Sequence, residues 1–158
     1  MKLSYRFRIS LDLFAHVVCT AMLGWVVYLK TADLFYVGIV VAGGIFIDLD
    51  HLIDYFRYFK NKKFSLKNFF YGLYLGSGKV YLFFHSWELI FIILALATFF
   101  RSYVLLLFFL SLSIHLLIDN TQRRKKLFYF FTYRFLNGFK VDIILPEVKD
   151  YITGINKE

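Results

Sequence analysis

Histidine and carboxylate side chains occur together at four places in this chain, at spacings that suit metal binding. The sequence contains four histidines, and each has an acidic residue three or four positions away. Residues three or four apart lie on one face of a helix, so each pair can present two ligand atoms together. Neutral imidazole and carboxylate oxygen suit Zn²⁺, Mn²⁺ or Fe²⁺. These pairs are Asp12 with His16, His51 with Asp54, His85 with Glu88, and His115 with Asp119.

The densest of these groups lies in the stretch GGIFIDLDHLID, from Gly43 to Asp54. On a helix, Asp50, His51 and Asp54 share a face about 100° wide, and Asp48 lies at its edge. The stretch ends an apolar run that begins at Leu34, and ionisable groups in such a position are costly and usually functional. We predict that this stretch forms part of a metal site.

The elements that must position these groups are membrane helices. The chain of 158 residues is 59% hydrophobic and 22% aromatic, with a mean hydropathy of +0.61 and a single proline. This composition excludes an ordinary soluble domain of the same size. We predict one integral membrane domain over residues 1–158, built as an all-α bundle of four transmembrane helices. Their predicted ranges are 9–29, 34–54, 82–100 and 102–119, with short interfacial or cytoplasmic helices in 55–81 and 120–158.

The distribution of basic residues predicts the topology. The net charge is +8, and lysine and arginine are concentrated before the first helix, in 55–81 and after the fourth helix. The positive-inside rule then places both termini and the long loop in the cytoplasm, in an inner or plasma membrane. All four histidines fall at a similar depth on the cytoplasmic side. We expect the basic loop to contact anionic lipid headgroups, with no nucleic-acid partner.

Several of these residues have simpler structural interpretations. His16 could donate a hydrogen bond between helices, and Asp12 could cap or solvate the entry of its helix. Asp54 could form a surface ion pair with Arg57. The lone Cys19 is predicted to be a packing residue, and Gly43 and Gly44 to allow close helix packing. These alternatives stay open from the sequence alone.

Four short motifs in order resemble the YdjM-like family of small inner-membrane proteins, which are described as metal-dependent hydrolases. They are an early membrane histidine (His16), D-L-D-H at 48–51, H-S at 85–86 and H-L-L-I-D at 115–119. That family is in turn similar to zinc-dependent phospholipase C and the P1-type nucleases. The resemblance covers about His16 to Asn120. It implies metal-ligand roles for His16, Asp48, Asp50, His51, His85, His115 and Asp119.

The chain departs from the family pattern at two positions. Ile47 stands where the family often has proline, and VYLFFHS stands where it often has H-R-x-x-T-H-S. The second change removes one possible ligand and one phosphate-binding cation. We expect Glu88 to replace the ligand or to act as a base.

The resulting hypothesis is a membrane hydrolase that uses one or two divalent metal ions, with zinc expected. The metal would activate water, and Asp50 or Glu88 would accept its proton. The expected substrate is a phosphoester of a lipid or lipid-linked molecule. Three alternatives remain: a haem protein with two axial histidines, a metal or proton transporter, and a metal-bearing regulator without catalysis.

Overall fold

The computed structural model describes residues 5–59, 63–70, 72–122 and 125–146. These residues are mostly helical, and they contain no strand. Side chains are described over a slightly smaller set that begins at residue 11. The helices are α1 (Tyr5–Thr31), α2 (Leu34–Phe46), α3 (Leu49–Tyr58), α4 (Leu66–Phe70), α5 (Trp87–Phe99), α6 (Tyr103–Gln122), α7 (Phe131–Leu136) and α8 (Val141–Ile144). Two 3₁₀ helices cover Leu73–Ser77 and Lys126–Tyr129.

Three helical stretches in the described residues are long and apolar enough to cross a membrane. They are Leu11–Thr31, Leu34–Tyr58 and Tyr103–Thr121. Large apolar side chains such as Phe14, Trp25 and Phe99 are exposed on these helices or on α5, as a lipid environment would favour. The chain therefore has the features of a membrane-associated protein. The third predicted span is shorter in the structure than predicted: α5 has 13 residues and a length of only about 20 Å.

The chain forms two compact units, residues 1–47 with 87–122 and residues 48–86 with 123–158. In the first unit α1, α2, α5 and α6 pack against one another. Val27, Val40 and Leu107 form a small buried core there.

Small residues bring α2 close to its neighbours within the first unit. A Cβ atom at Gly43 would lie 2.9 Å from the Cβ of Ser111, and one at Gly44 would lie 2.9 Å from the Oγ1 of Thr20. The Ser111 hydroxyl donates a 2.6 Å hydrogen bond to the carbonyl of Val40, which holds α6 on α2. The prediction that the two glycines allow close helix packing is confirmed.

The second unit contains α3, α4, α7, α8 and both 3₁₀ helices. Its core is aromatic around Tyr55, whose ring lies 4.7 Å from that of Phe59 and 5.2 Å from that of Phe64. The Tyr55 hydroxyl also accepts a hydrogen bond from the backbone amide of Ser65. Phe128 and Tyr129 are buried in the same unit.

Two predicted helix boundaries were wrong. The second predicted helix ends at 54, whereas the structure has a turn at Ile47 and Asp48 and continues as α3 to Tyr58. The third was predicted to begin at 82, whereas α5 begins at Trp87, so His85 and Glu88 are not one turn apart on a helix. The apolar residues 82–84 would suit the first turn of a helix. In the structure, however, the amides of Leu82, Phe84 and His85 donate hydrogen bonds to side chains of α3. Lys60, Lys62, Arg123 and Arg124, which contribute to the predicted topology, and the polar tail after Pro146 lie outside the described residues.

Candidate functional site

One group of potential metal ligands lies in the first unit and comprises His16 of α1 with His115 and Asp119 of α6, here called the α1–α6 group. The Nε2 atom of His16 lies 3.2 Å from Oδ1 of Asp119, and Nε2 of His115 lies 3.7 Å from Oδ2 of the same carboxylate. Ligand atoms around a tetrahedral zinc ion are about 3.4 Å apart, given a zinc–nitrogen distance of about 2.1 Å. These two separations are close to the value that such an ion needs, and the three ligand atoms all lie within 4.8 Å of one another.

The hydrogen bonds of the two histidines leave the correct nitrogen available to a metal. The Nδ1 atom of His16 lies 2.9 Å from the carbonyl oxygen of Asp12, and Nδ1 of His115 lies 3.0 Å from that of Gly44. A carbonyl can only accept, so each Nδ1 carries the proton and each Nε2 of the neutral ring keeps its lone pair. The Nε2 atom of His16 is buried and faces the carboxylate of Asp119, 3.2 Å away. A metal ion would satisfy this atom, so the group fits one.

A second group lies in the second unit and comprises Asp48, His51 and His85, here called the α3 group. The Oδ1 atom of Asp48 lies 3.6 Å from Nε2 of His85 and 4.0 Å from Nε2 of His51. The two imidazole rings are 4.6 Å apart. Asp48 precedes α3 and His51 lies in its first turn, whereas His85 lies in the segment before α5.

The α3 group also holds its histidines through Nδ1. Nδ1 of His85 lies 2.8 Å from Oδ1 of Asp50, and Nδ1 of His51 lies 2.7 Å from the hydroxyl of Tyr74. The carboxylate accepts from His85, so Nε2 of His85 keeps its lone pair on the side of Asp48. This arrangement of carboxylate, histidine and ligand position is the usual outer shell of a protein metal site.

Asp50 stands behind His85 rather than beside the ligand atoms of the α3 group. Its Oδ2 accepts hydrogen bonds from the amides of Phe84, at 2.7 Å, and His85, at 3.1 Å. Its Oδ1 accepts from the His85 ring, and the side chain is fully buried. The geometry favours an orienting role over the ligand and base roles predicted from the sequence.

Asp54 and Glu88 belong to neither group among the described side chains. Oδ2 of Asp54 accepts from the amides of Tyr81 and Leu82, at 2.9 and 3.3 Å. Arg57, its proposed ion-pair partner, donates instead to the Tyr81 hydroxyl and lies 4.2 Å from the centre of that ring. Glu88 lies in the first turn of α5, in the first unit.

Six of the seven predicted ligands therefore fall into two groups of three, each contained in one unit, and Asp50 lies outside both. The structure brings His16 to His115 and Asp119, and it brings His85 to Asp48 and His51. Tyr74 and the carbonyls of Asp12 and Gly44 were not foreseen as partners of the histidines. Nothing local in the sequence distinguishes them, since Tyr74 is one of 12 tyrosines and a carbonyl belongs to every residue.

No protein-family model matches the chain, and neither a curated protein nor a solved structure matches it.

Proposed function

We propose that this protein is a membrane-bound, metal-dependent hydrolase that acts on a phosphoester of a lipid or lipid-linked substrate. The observation that carries the proposal is the shared geometry of the histidines. Each of the four rings engages a partner through Nδ1 and directs Nε2 to within 4.0 Å of a carboxylate oxygen of its own group. Four such arrangements serve metal binding better than they serve packing, because packing does not require one nitrogen of each ring to face an acid.

Differences in exposure support a division of labour between the groups. In the α3 group Asp48 and His51 are 50% and 22% exposed and His85 is buried, whereas His16, His115 and Asp119 are 13%, 5% and 12% exposed. Structural zinc sites are closed, and catalytic sites have three protein ligands and an open position. We therefore assign catalysis to the α3 group and a structural ion to the α1–α6 group.

The chemistry follows from the α3 group and its surroundings. A bound divalent ion, with zinc expected, would supply a Lewis acid and activate water. His51, His85 and Asp48 would hold the ion, and Asp50 would fix the tautomer and orientation of His85. Two features support a lipid substrate. Three helical stretches of the described residues are long and apolar enough to cross a membrane, and the exposed guanidinium of Arg57 in the second unit could bind an anionic headgroup.

The same geometry argues against a haem within either group. The rings of His16 and His115 are 4.0 Å apart, and those of His51 and His85 are 4.6 Å apart. Two axial histidines bind on opposite faces of a porphyrin, so their rings must be separated by the macrocycle. The carboxylate that accompanies each pair also suits a divalent ion better than a haem iron.

Metal analysis of detergent-purified protein tests the proposal. We expect about two zinc ions per chain in the wild type, about one in His51→Ala and about one in His115→Ala. Hydrolysis of a chromogenic phosphodiester and of phospholipid in mixed micelles should be lost in His51→Ala. The matched control is Asp142→Asn, which removes an exposed carboxylate of α8 and should leave both readouts unchanged. Equal metal content in the wild type and both alanine variants would refute the site.

A further inference from the structure

The segment 81–85, which carries His85, is held by charged side chains rather than by regular secondary structure. Its residues form neither helix nor strand, and Leu82 has a positive φ of 47°. Such a segment must find partners for its backbone amides and carbonyls elsewhere when it is buried. His85 and Leu82 are both buried, so the source of those partners determines where the His85 ring lies.

The amides of this segment are satisfied from one element. Asp50 and Asp54 lie one turn apart on α3, and each accepts hydrogen bonds from two consecutive amides of the segment. Asp54 accepts from residues 81 and 82, and Asp50 accepts from residues 84 and 85. Hydrogen bonds to an ionised carboxylate are shorter and stronger than those between neutral groups. The two carboxylates therefore fix four amides of the segment against α3.

The carbonyls of the same segment are satisfied by Arg134 of α7. Nη2 of Arg134 donates to the carbonyl of Leu82 at 2.7 Å, and Nη1 donates to the carbonyl of His85 at 2.9 Å. Nη1 also donates to the carbonyl of Phe128 at 2.8 Å, which joins the segment to the 3₁₀ helix before α7. Arg134 is completely buried, the largest side chain in the described residues to be so.

We propose that Arg134 is a positioning residue for the α3 group, and that the part of the chain around α7 is required for metal binding at that group. The inference rests on the proposed function. The guanidinium and the two carboxylates hold the segment by its carbonyls and its amides, and Asp50 additionally holds the His85 ring. Without the guanidinium, the carbonyls of Leu82 and His85 lose their donors, and the segment gains freedom at the residue that supplies Nε2.

Arginine is needed here in preference to lysine. The carbonyls of Leu82 and His85 accept hydrogen bonds from different nitrogens of one planar guanidinium. A lysine ammonium keeps the charge but is a compact group on a flexible stem, so it does not reproduce the fork. Arg134→Lys is therefore the informative substitution, since it preserves charge and much of the volume while it removes the geometry.

The experiment compares the two metal groups within one protein. The variant His115→Ala disables the α1–α6 group and His51→Ala disables the α3 group, so Co²⁺ titration by visible absorption reports one group at a time. We expect Arg134→Lys to weaken Co²⁺ binding about 10- to 100-fold in the His115→Ala background, as is typical of outer-shell changes. In the His51→Ala background it should leave the affinity unchanged. Lys140→Gln, at an exposed basic residue of the same part of the chain, should change neither.

Each outcome distinguishes the hypotheses. Equal weakening in both backgrounds would indicate a general loss of stability and overturn the positioning role, as would unchanged affinity in the His115→Ala background. Failure of both parent variants to bind Co²⁺ would refute the proposed function, and this inference with it, before Arg134 is altered. If Arg134→Lys does not fold, Asp54→Ala removes the oxygen that accepts from the amides of Tyr81 and Leu82 and so loosens the same segment from α3. It should cause a smaller loss in the His115→Ala background alone, and no loss there overturns the proposal.

Discussion

Replacing Asp50 by Asn changes one atom of a buried side chain and reverses its hydrogen-bond chemistry toward His85. The carboxylate has donors on both oxygens, with the amides of Phe84 and His85 on Oδ2 and the His85 ring on Oδ1. An asparagine has one oxygen and one NH₂ group, so its NH₂ group must face either the two backbone N–H groups or the N–H of the His85 ring. If the NH₂ group faces the ring, His85 has to move its proton to Nε2, which removes the lone pair that would bind the metal.

The size of the effect follows from the same contacts. Outer-shell partners of metal-binding histidines typically contribute 10- to 100-fold in affinity, which corresponds to about 1.4–2.8 kcal/mol. A hydrogen bond to a charged group contributes about 1.5–3 kcal/mol to stability, and the substitution removes at least one of them from a buried site. We therefore expect Asp50→Asn to weaken metal binding at the α3 group at least tenfold and to destabilise the fold by about 2–3 kcal/mol.

The assay is Co²⁺ titration in the His115→Ala background, combined with ¹⁵N NMR of the histidine side chains in the metal-free protein. The NMR spectrum should show His85 as the Nδ1-protonated tautomer in the parent and as the Nε2-protonated tautomer in Asp50→Asn. Asp142→Asn provides the matched exposed control. Retention of the Nδ1-protonated tautomer together with unchanged affinity would refute the orienting role of Asp50. Loss of affinity without a tautomer change would instead favour direct ligation by Asp50, the role that the sequence predicted.

Three further predictions concern packing, the second orienting partner and the contribution of the metal to stability. Gly43→Ala should destabilise the first unit by about 1–3 kcal/mol in detergent unfolding, because the new Cβ would lie 2.9 Å from a serine Cβ of α6. Gly38→Ala, where no atom lies within 4 Å of the added Cβ, is its control and should not destabilise the protein; equal behaviour would contradict the helix packing. Tyr74→Phe removes the hydroxyl 2.7 Å from Nδ1 of His51 and should weaken Co²⁺ binding at the α3 group about tenfold, whereas unchanged affinity would show that this contact has no orienting role. Removal of both metal ions by a chelator should lower Tm by about 11–22 °C, since each ion at about 100 times its Kd adds about 2.7 kcal/mol. The shift should reverse on adding Zn²⁺ and be absent in the His51→Ala, His115→Ala double variant; a shift that persists there would place the metal elsewhere.

The helical class and most helix positions could be predicted because they depend on local composition. Long apolar runs predict helices by length alone, and α1 and α6 lie within a few residues of their predicted ranges, as does the start of α2. The start of α5 could not be predicted in this way. Residues 82–84 are apolar like the helix that follows, and the carboxylates of Asp50 and Asp54, some 30 positions earlier, accept the amide hydrogen bonds of Leu82 and Phe84.

The membership of the metal groups was predictable only in part, for a related reason. Residue type identified the histidines and their carboxylates, since these side chains are rare and costly in apolar segments. Helical spacing correctly joined His115 to Asp119. The spacing rule does not apply to His85 and Glu88, because it holds only for residues on one helix and α5 begins at Trp87. Spacing also could not distinguish Asp48, which we propose as a ligand, from Asp50, which accepts hydrogen bonds from the amides of a distant segment.

The Nδ1 partners of the four histidines give a further reason to assign catalysis to the α3 group. In the α1–α6 group both partners are backbone carbonyls, which orient the rings but carry no charge. In the α3 group His85 is oriented by the carboxylate of Asp50, and a carboxylate partner makes the imidazole a more basic ligand. Arg134 in turn holds the backbone of the same histidine. The buried charges of Asp50 and Arg134 thus both support His85, a proposed ligand of the α3 group. In our proposal an open coordination position at this group would bring substrate to the ion, so accurate placement of His85 matters for the chemistry.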